Sequence, residues 1–351
     1  MQKKEKIIII LCVVATVAAG GLHYAGVNPV IAFVVTAAAL ALLAVIVGDA
    51  TEQLGSRLGP GATGILQSGL GNLPELFVCI FALRAGLNHV VQAALIGSIL
   101  GNSVLVLGLG LFLGGIKNGT QRFRSDPPKM IVALMMLAAA ALIVPTLAKE
   151  LHTPAAAHIA NLDIFLAIIL LVLLAASIYF SVKGDRSVLS AAAKGEHAKW
   201  SMKLTIFVLG AASLGAALVS DWFVEALQPA MRSLGISEAF AGLVVVAVAG
   251  NAIENVIGVQ LAWRDQADYA VSVILNSSLQ IALGLFPVLV LLSFVLGGAV
   301  LSFVLTPMLL AALILAVVVP AVIIYDGESI WLEGLALIGL YCIIAAAFWW
   351  G

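Results

Sequence analysis

Almost the whole chain is a succession of apolar stretches, each about as long as a bilayer is thick, interrupted by short clusters of charged, glycine or proline residues. This pattern leaves few folds open. About 20 uncharged residues cross the hydrocarbon core as a helix, and lipid admits only helices or closed barrels because backbone polar groups there must be satisfied internally. Strands of a barrel would alternate apolar and polar positions, whereas these runs are apolar throughout. With 63% hydrophobic and 10% charged residues and a mean hydropathy of +1.16, the composition is far from that of a soluble domain. The chain reads as an all-α polytopic membrane protein.

The breaks define about eleven transmembrane helices, near residues 6–24, 29–55, 61–84, 89–115, 129–148, 162–183, 201–226, 236–262, 267–296, 302–324 and 330–350. With the N-terminus in the cytoplasm, only Arg84, Lys149 and Arg232 of the 17 basic residues fall in outer loops, the asymmetry of the positive-inside rule. The C-terminus then lies outside, with Trp349 and Trp350 at the interfacial aromatic level. The basic start, Met1 to Lys6, has no small-residue cleavage site behind its apolar run and reads as a retained first helix. A prokaryotic inner membrane is the expected location. Cys12, Cys79 and Cys342 lack paired spacing and read as small core residues, and the histidines form no metal-binding motif, so a disulfide framework and a resident transition metal are both excluded. A net charge of −1 offers no surface for nucleic acid.

Two motifs stand out inside the apolar background. Gly71-Asn72-Leu73-Pro74-Glu75 recurs as Gly250-Asn251-Ala252-Ile253-Glu254, and the alignment that joins them also sets Ser98 to Asn102 on Ser272 to Asn276. The coincidence predicts a first helix over 1–28, a five-helix repeat over 29–183, a cytoplasmic linker over 184–200 and a second five-helix repeat over 201–351. Five helices per copy make the two repeats inverted in the membrane, a pattern of secondary transporters.

The glutamates carry the chemistry. A carboxylate within a span costs at least about 2.5 to 3.5 kcal/mol unless a partner, cavity or ion compensates it. Glu75 and Glu254 both lie well inside their spans, and no lysine or arginine is expected at that depth, which leaves protons or a cation. Gly71 and Gly250, with Gly69 and Pro74, weaken the surrounding helix and release backbone carbonyls as hard oxygen ligands. Asn72 and Asn251 are the expected amide ligands. Ser98, Asn102, Ser272, Asn276, Ser277, Gln67 and Gln280 form a second tier, equally readable as interhelical hydrogen bonding. Asp49 and Glu52, and Asp221 and Glu225, occupy corresponding helix ends and read as acids at the two mouths. Two carboxylates sharing one site titrate as a coupled pair, so occupancy by one divalent cation or by protons is mutually exclusive. That exclusion predicts an antiporter.

These motifs, together with Asn276-Ser277-Ser278-Leu279-Gln280-Ile281-Ala282, Asp326-Gly327-Glu328-Ser329 and Trp331-Leu332-Glu333-Gly334, resemble the calcium/proton exchanger family of the calcium/cation antiporter superfamily. The resemblance implies eleven helices, calcium and protons as alternating substrates of Glu75 and Glu254, export of cytosolic calcium by alternating access, and a sliding of the first two helices against the rest. Asn255 stands where many members carry a histidine, and an amide does not titrate near neutral pH. Sodium as counter-ion and manganese as cargo therefore stay open as alternatives on the same fold, and a cation channel is the reading from another class. Enzyme motifs such as HExxH and GxSxG are missing, and no cofactor is expected.

Overall fold

The computed structural model describes residues 3–58, 66–123, 126–183, 199–298 and 300–350; the side chains at positions 3, 4, 58, 67, 68, 126, 127, 181–183, 253 and 254 are not among those described. Residues 184–198, most of the expected linker, lie outside the described residues. Among the described residues the principal helices are, in order, α1 (Lys3–Ala25), α2 (Pro29–Leu58), α3 (Leu73–Arg84), α4 (Asn88–Asn118), α5 (Asp126–Glu150), α6 (Ile159–Lys183), α7 (Met202–Leu234), α8 (Glu238–Gly250), α9 (Ala252–Trp263), α10 (Ala267–Ser293), α11 (Pro307–Ile323) and α12 (Trp331–Trp349). Among the described residues, eight helical spans are long and apolar enough to cross a membrane, or nine if α8 and α9 are one bent span.

The expected third and eighth spans are broken, not continuous. A π-helical turn, Gln67–Gly71, ends at Asn72, whose backbone (φ −91°, ψ 13°) leaves the helix before α3 begins. Asn251 repeats this geometry (φ −108°, ψ 25°) between α8 and α9, and the pair bends by 64°. The seventh helix also departs from expectation, running to Leu234 and not stopping near 226. Pro229 is accommodated inside it, and termination waits for Gly235, which takes the left-handed conformation (φ 64°) that glycine adopts without a Cβ penalty.

α4 and α10 form the centre: 67% and 83% of the residues in their most apolar stretches are buried. α2 lies along α7, and α1 rides on that pair. Lipid-type faces remain outside, such as Ile10, Val14 and Val17 of α1 or Phe165 and Val172 of α6. Cys12 and Cys79 are core residues as expected, but Cys342 is exposed, because α12 buries the neighbouring face of Leu337, Tyr341 and Phe348.

The two ends of α4 are fastened differently. At its C-terminal end Lys117 Nζ donates to the Trp263 carbonyl (2.9 Å), and β1 (Gln121–Arg122) pairs antiparallel with β2 (Glu328–Ser329). At its N-terminal end a buried non-helical strap, Leu301 to Leu305, is held by side chains. Gln92 Nε2 donates to the carbonyls of Ser302 and Val304 (2.9 Å each), while Thr146 Oγ1 and Asp163 Oδ1 accept from the backbone of Leu305 (3.0 Å) and Phe303 (3.4 Å). Asp163 is only 1% exposed. Asp163→Ala is expected to leave the Phe303 N–H unpaired and cost about 1 to 3 kcal/mol, whereas Asp163→Asn keeps an acceptor oxygen and costs less; thermal unfolding in detergent distinguishes the two.

Just before α7, Trp200 is buried against α1 and α2. Its indole Nε1 donates to Glu5 Oε2 (3.0 Å), its backbone N–H to Gln53 Oε1 (3.3 Å), and its carbonyl accepts from Arg57. The chain entering the second half is thereby seated on the start of α1 and the end of α2.

Candidate functional site

Both motif glutamates fall at the same helical position. Glu75 is the third residue of α3 and Glu254 the third of α9, in the first turn after each break, where unpaired backbone N–H groups favour a negative charge. The breaks set that placement. The Glu254 side chain is not among those described, so the site is built from Glu75.

Glu75 has no solvent exposure at all. Ser98 Oγ donates to Glu75 Oε1 (2.5 Å), and Asn251 Nδ2 donates to Ser98 Oγ (2.8 Å), with Glu75 Oε2 (3.3 Å) and the Ala247 carbonyl (3.1 Å) also in reach. One amide nitrogen has two hydrogens, so three acceptors share them and the longest contact, to Glu75, is the weakest. The amide nitrogen faces the carboxylate, which leaves Asn251 Oδ1 buried with no hydrogen-bond partner among the described residues. An unpaired buried oxygen of this kind normally costs about 1 to 3 kcal/mol. The first motif supplies the carboxylate here, the second its amide partner.

Close backbone approach makes the triangle of Glu75, Ser98 and Asn251 reachable. A Cβ built at Gly97 overlaps the Leu243 carbonyl, and one at Gly242 overlaps the Val90 carbonyl, so α4 and α8 cross with no side chain between them. A Cβ at Gly250 would stand 3.2 Å from Glu75 Cβ. Gly71 and Asn72 are buried at the first break. The carbonyl that Pro74 would release, that of Leu70, accepts from the Asn72 N–H and keeps a second lone pair.

The second-tier residues divide. Ser98 belongs to the Glu75 triangle. Asn102, one turn along α4, donates to Ser277 Oγ (2.9 Å) and ties α4 to α10; two residues not expected at the site, Ser278 and Ser103, extend this seam through the carbonyls of Ile99 (3.3 Å) and Ala316 (2.7 Å). Ser272 and Asn276 are half-buried one turn apart on α10 and make none of the hydrogen bonds described around Glu75, and Gln280 is buried before the π-helical turn Ile281–Leu285. Gln67 opens the first π turn, and its side chain lies outside the described residues. Of the expected mouth acids, Asp49 and Asp221 are half-buried and Glu52 and Glu225 exposed. Because α7 continues to Leu234, Asp221 stands about three and a half turns and Glu225 about two and a half turns inside its end. Asp163 was missed; an acid at the edge of an apolar span was its only signal.

A cavity of about 450 Å³ opens beside the second break, between Ala37 and Ala41 of α2, Val244, Val245, Val248 and Ala249 of α8, and Ala252 and Asn255 of α9. Its wall is aliphatic except at Asn255. Among the described residues, no three His, Cys, Asp or Glu side chains gather into a metal-binding group.

Broken helices around a buried carboxylate, inside a bundle with apolar outer faces, define a polytopic membrane protein whose irregular backbone is sheltered in its core. The chain belongs to the sodium/calcium exchanger protein family, whose model matches residues 28–183 and again 204–350. It is 33% identical over 368 aligned residues to the Ca(2+)/H(+) antiporter of Synechocystis sp., covering 99% of this chain and 98% of that one. It is also 33% identical over 328 residues to the Ca(2+)/H(+) antiporter ChaA of Bacillus subtilis, covering 90% and 91%. The solved structure of native YfkE superposes with a TM-score of 0.85 at 32% identity, covering 98% of this chain and 99% of that chain.

Proposed function

We propose that the chain is a secondary antiporter that exports cytosolic calcium in exchange for protons, with Glu75 and Glu254 binding calcium or protons in turn. The observation that carries this is the fully buried Glu75 carboxylate with neutral donors, Ser98 and Asn251, at its two oxygens. A carboxylate within a span is normally matched by a cavity, a partner or an ion; in this reading calcium and protons match it in turn. Calcium takes six to eight hard oxygens. Glu75, Glu254, the unpartnered Asn251 Oδ1, and carbonyls near Gly71, Asn72 and Gly250 are its ligands in this reading. Neutralising two carboxylates takes one calcium or two protons, hence an exchange of one for at least two.

The relatives named Ca(2+)/H(+) antiporter support the ion pair exchanged. Two family matches, one per half, and two breaks of like geometry at Asn72 and Asn251 support inverted repeats over 29–183 and 201–351 behind a first helix. Eleven spans result when α3 with its π turn, α8 with α9, and α11 each count as one. The distribution of basic residues supports an N-terminus in the cytoplasm and a C-terminus outside a prokaryotic cell membrane. For alternating access, the cavity between α2 and the α8–α9 break supports the expected sliding of α1 and α2 against the rest. Asn255 on that cavity wall favours one second reading, sodium as counter-ion, since an amide carries no proton across.

Proteoliposomes decide between these. Calcium uptake is expected under an imposed proton gradient and not under a sodium gradient alone. Uptake driven only by sodium overturns the proton coupling, and no calcium flux under either gradient overturns the reading.

A further inference from the structure

The last turn of α1 meets α7 through a compact aromatic and charged contact that includes Glu225, one of the expected mouth acids, and lies apart from the Glu75 triangle. His23 stacks on Trp222 (ring centroids 5.6 Å apart, planes at 22°), and its Nδ1 lies 3.5 Å from Glu225 Oε2. Tyr24 closes edge-on over both rings, 4.8 Å from His23 and 6.2 Å from Trp222. Gly20 lets the indole approach, because a Cβ there would sit 3.0 Å from its ring. The imidazole keeps 24% of its surface exposed, in the last turn of α1.

We propose that this contact is a proton-operated clasp: a protonated His23 pins the end of α1 to α7, and a neutral one releases it. Histidine is the side chain whose charge changes between about pH 5 and 8. Charged, the ring gains both the Glu225 carboxylate and the π face of Trp222; neutral, it keeps only van der Waals stacking. The other charged groups are few. On α7, Asp221 lies one turn before Glu225 with the same sign, and Arg232 two turns beyond it; α1 adds Tyr24; α2 has no titratable residue from Pro29 to Gly48. α1 touches both α2 and α7, so the clasp sets how firmly it splints the pair.

Hydrogen–deuterium exchange of the full-length protein in nanodiscs tests this through the backbone amides of residues 19–27, corrected for intrinsic exchange, at about pH 5 and about pH 8. Wild type is expected to be roughly three- to tenfold better protected at the lower pH, the scale of one exposed ion pair plus one cation–π contact. His23→Arg, charged and planar at both pH values, keeps the high protection throughout, and His23→Gln the low. Equal wild-type protection at the two pH values, or an arginine variant that behaves like the glutamine one, overturns the clasp. The readout involves no transport, so either result stands apart from the antiport assay.

Discussion

Proteoliposomes carrying Glu75→Gln are expected to accumulate at least about 100-fold less calcium than wild type under the same proton gradient. The substitution preserves volume and still offers Ser98 an acceptor, so packing is nearly unchanged. What disappears is the negative charge. Removing one charged partner from a buried, desolvated arrangement costs about 3 to 5 kcal/mol, and each 1.4 kcal/mol is about tenfold in binding. Glu254→Gln is expected to match it, because a divalent cation needs both charges. A Glu75→Gln protein that unfolds at the wild-type temperature yet transports nothing places the loss in ion binding. Uptake that survives in both variants would mean that the exchange site lies elsewhere.

The second large effect concerns helix approach. Gly97→Ala is expected to lower the unfolding temperature by several degrees, because the new methyl meets the Leu243 backbone, which has no flexible side chain to yield. Overpacking of this kind costs about 1 to 3 kcal/mol, and the forced separation of α4 from α8 also draws Ser98 away from Asn251, so calcium affinity falls with stability. Gly101→Ala, one turn along the same helix, meets nothing within 4 Å. It is expected to be neutral or stabilising by up to about 1 kcal/mol, since alanine restricts the unfolded chain more than glycine does. Equal melting temperatures for the two variants would remove the close crossing as the cause.

The membrane class and most of the span positions were legible in sequence because burial in lipid is a local requirement: each run of about 20 residues must satisfy its own backbone and expose apolar side chains whatever its neighbours do. Asn72 and Glu75, Asn251 and Glu254 stood out for the same reason. Less was legible where partners come from far along the chain. The Asn72 break was signalled by Gly71 and Pro74, but the capture of the Leu70 carbonyl by the Asn72 N–H was not, and neither was the extension of α7 to Leu234 past a proline.

Residue types and their spacing, alone, determined that this chain spans a membrane as helices and carries an acid three residues after each of two matching asparagines, since each stands out through the cost of placing a given group in hydrocarbon. Tertiary structure alone decided that Ser98 and Asn251 converge on Glu75, that Asn102 turns to Ser277, and that Cys342 faces outward. Those outcomes depend on which helices cross and how closely. Gly97, Gly242 and Gly250 permit the approach, and only the assembled bundle, with α8 lying on α4, determines which residues the resulting space brings together.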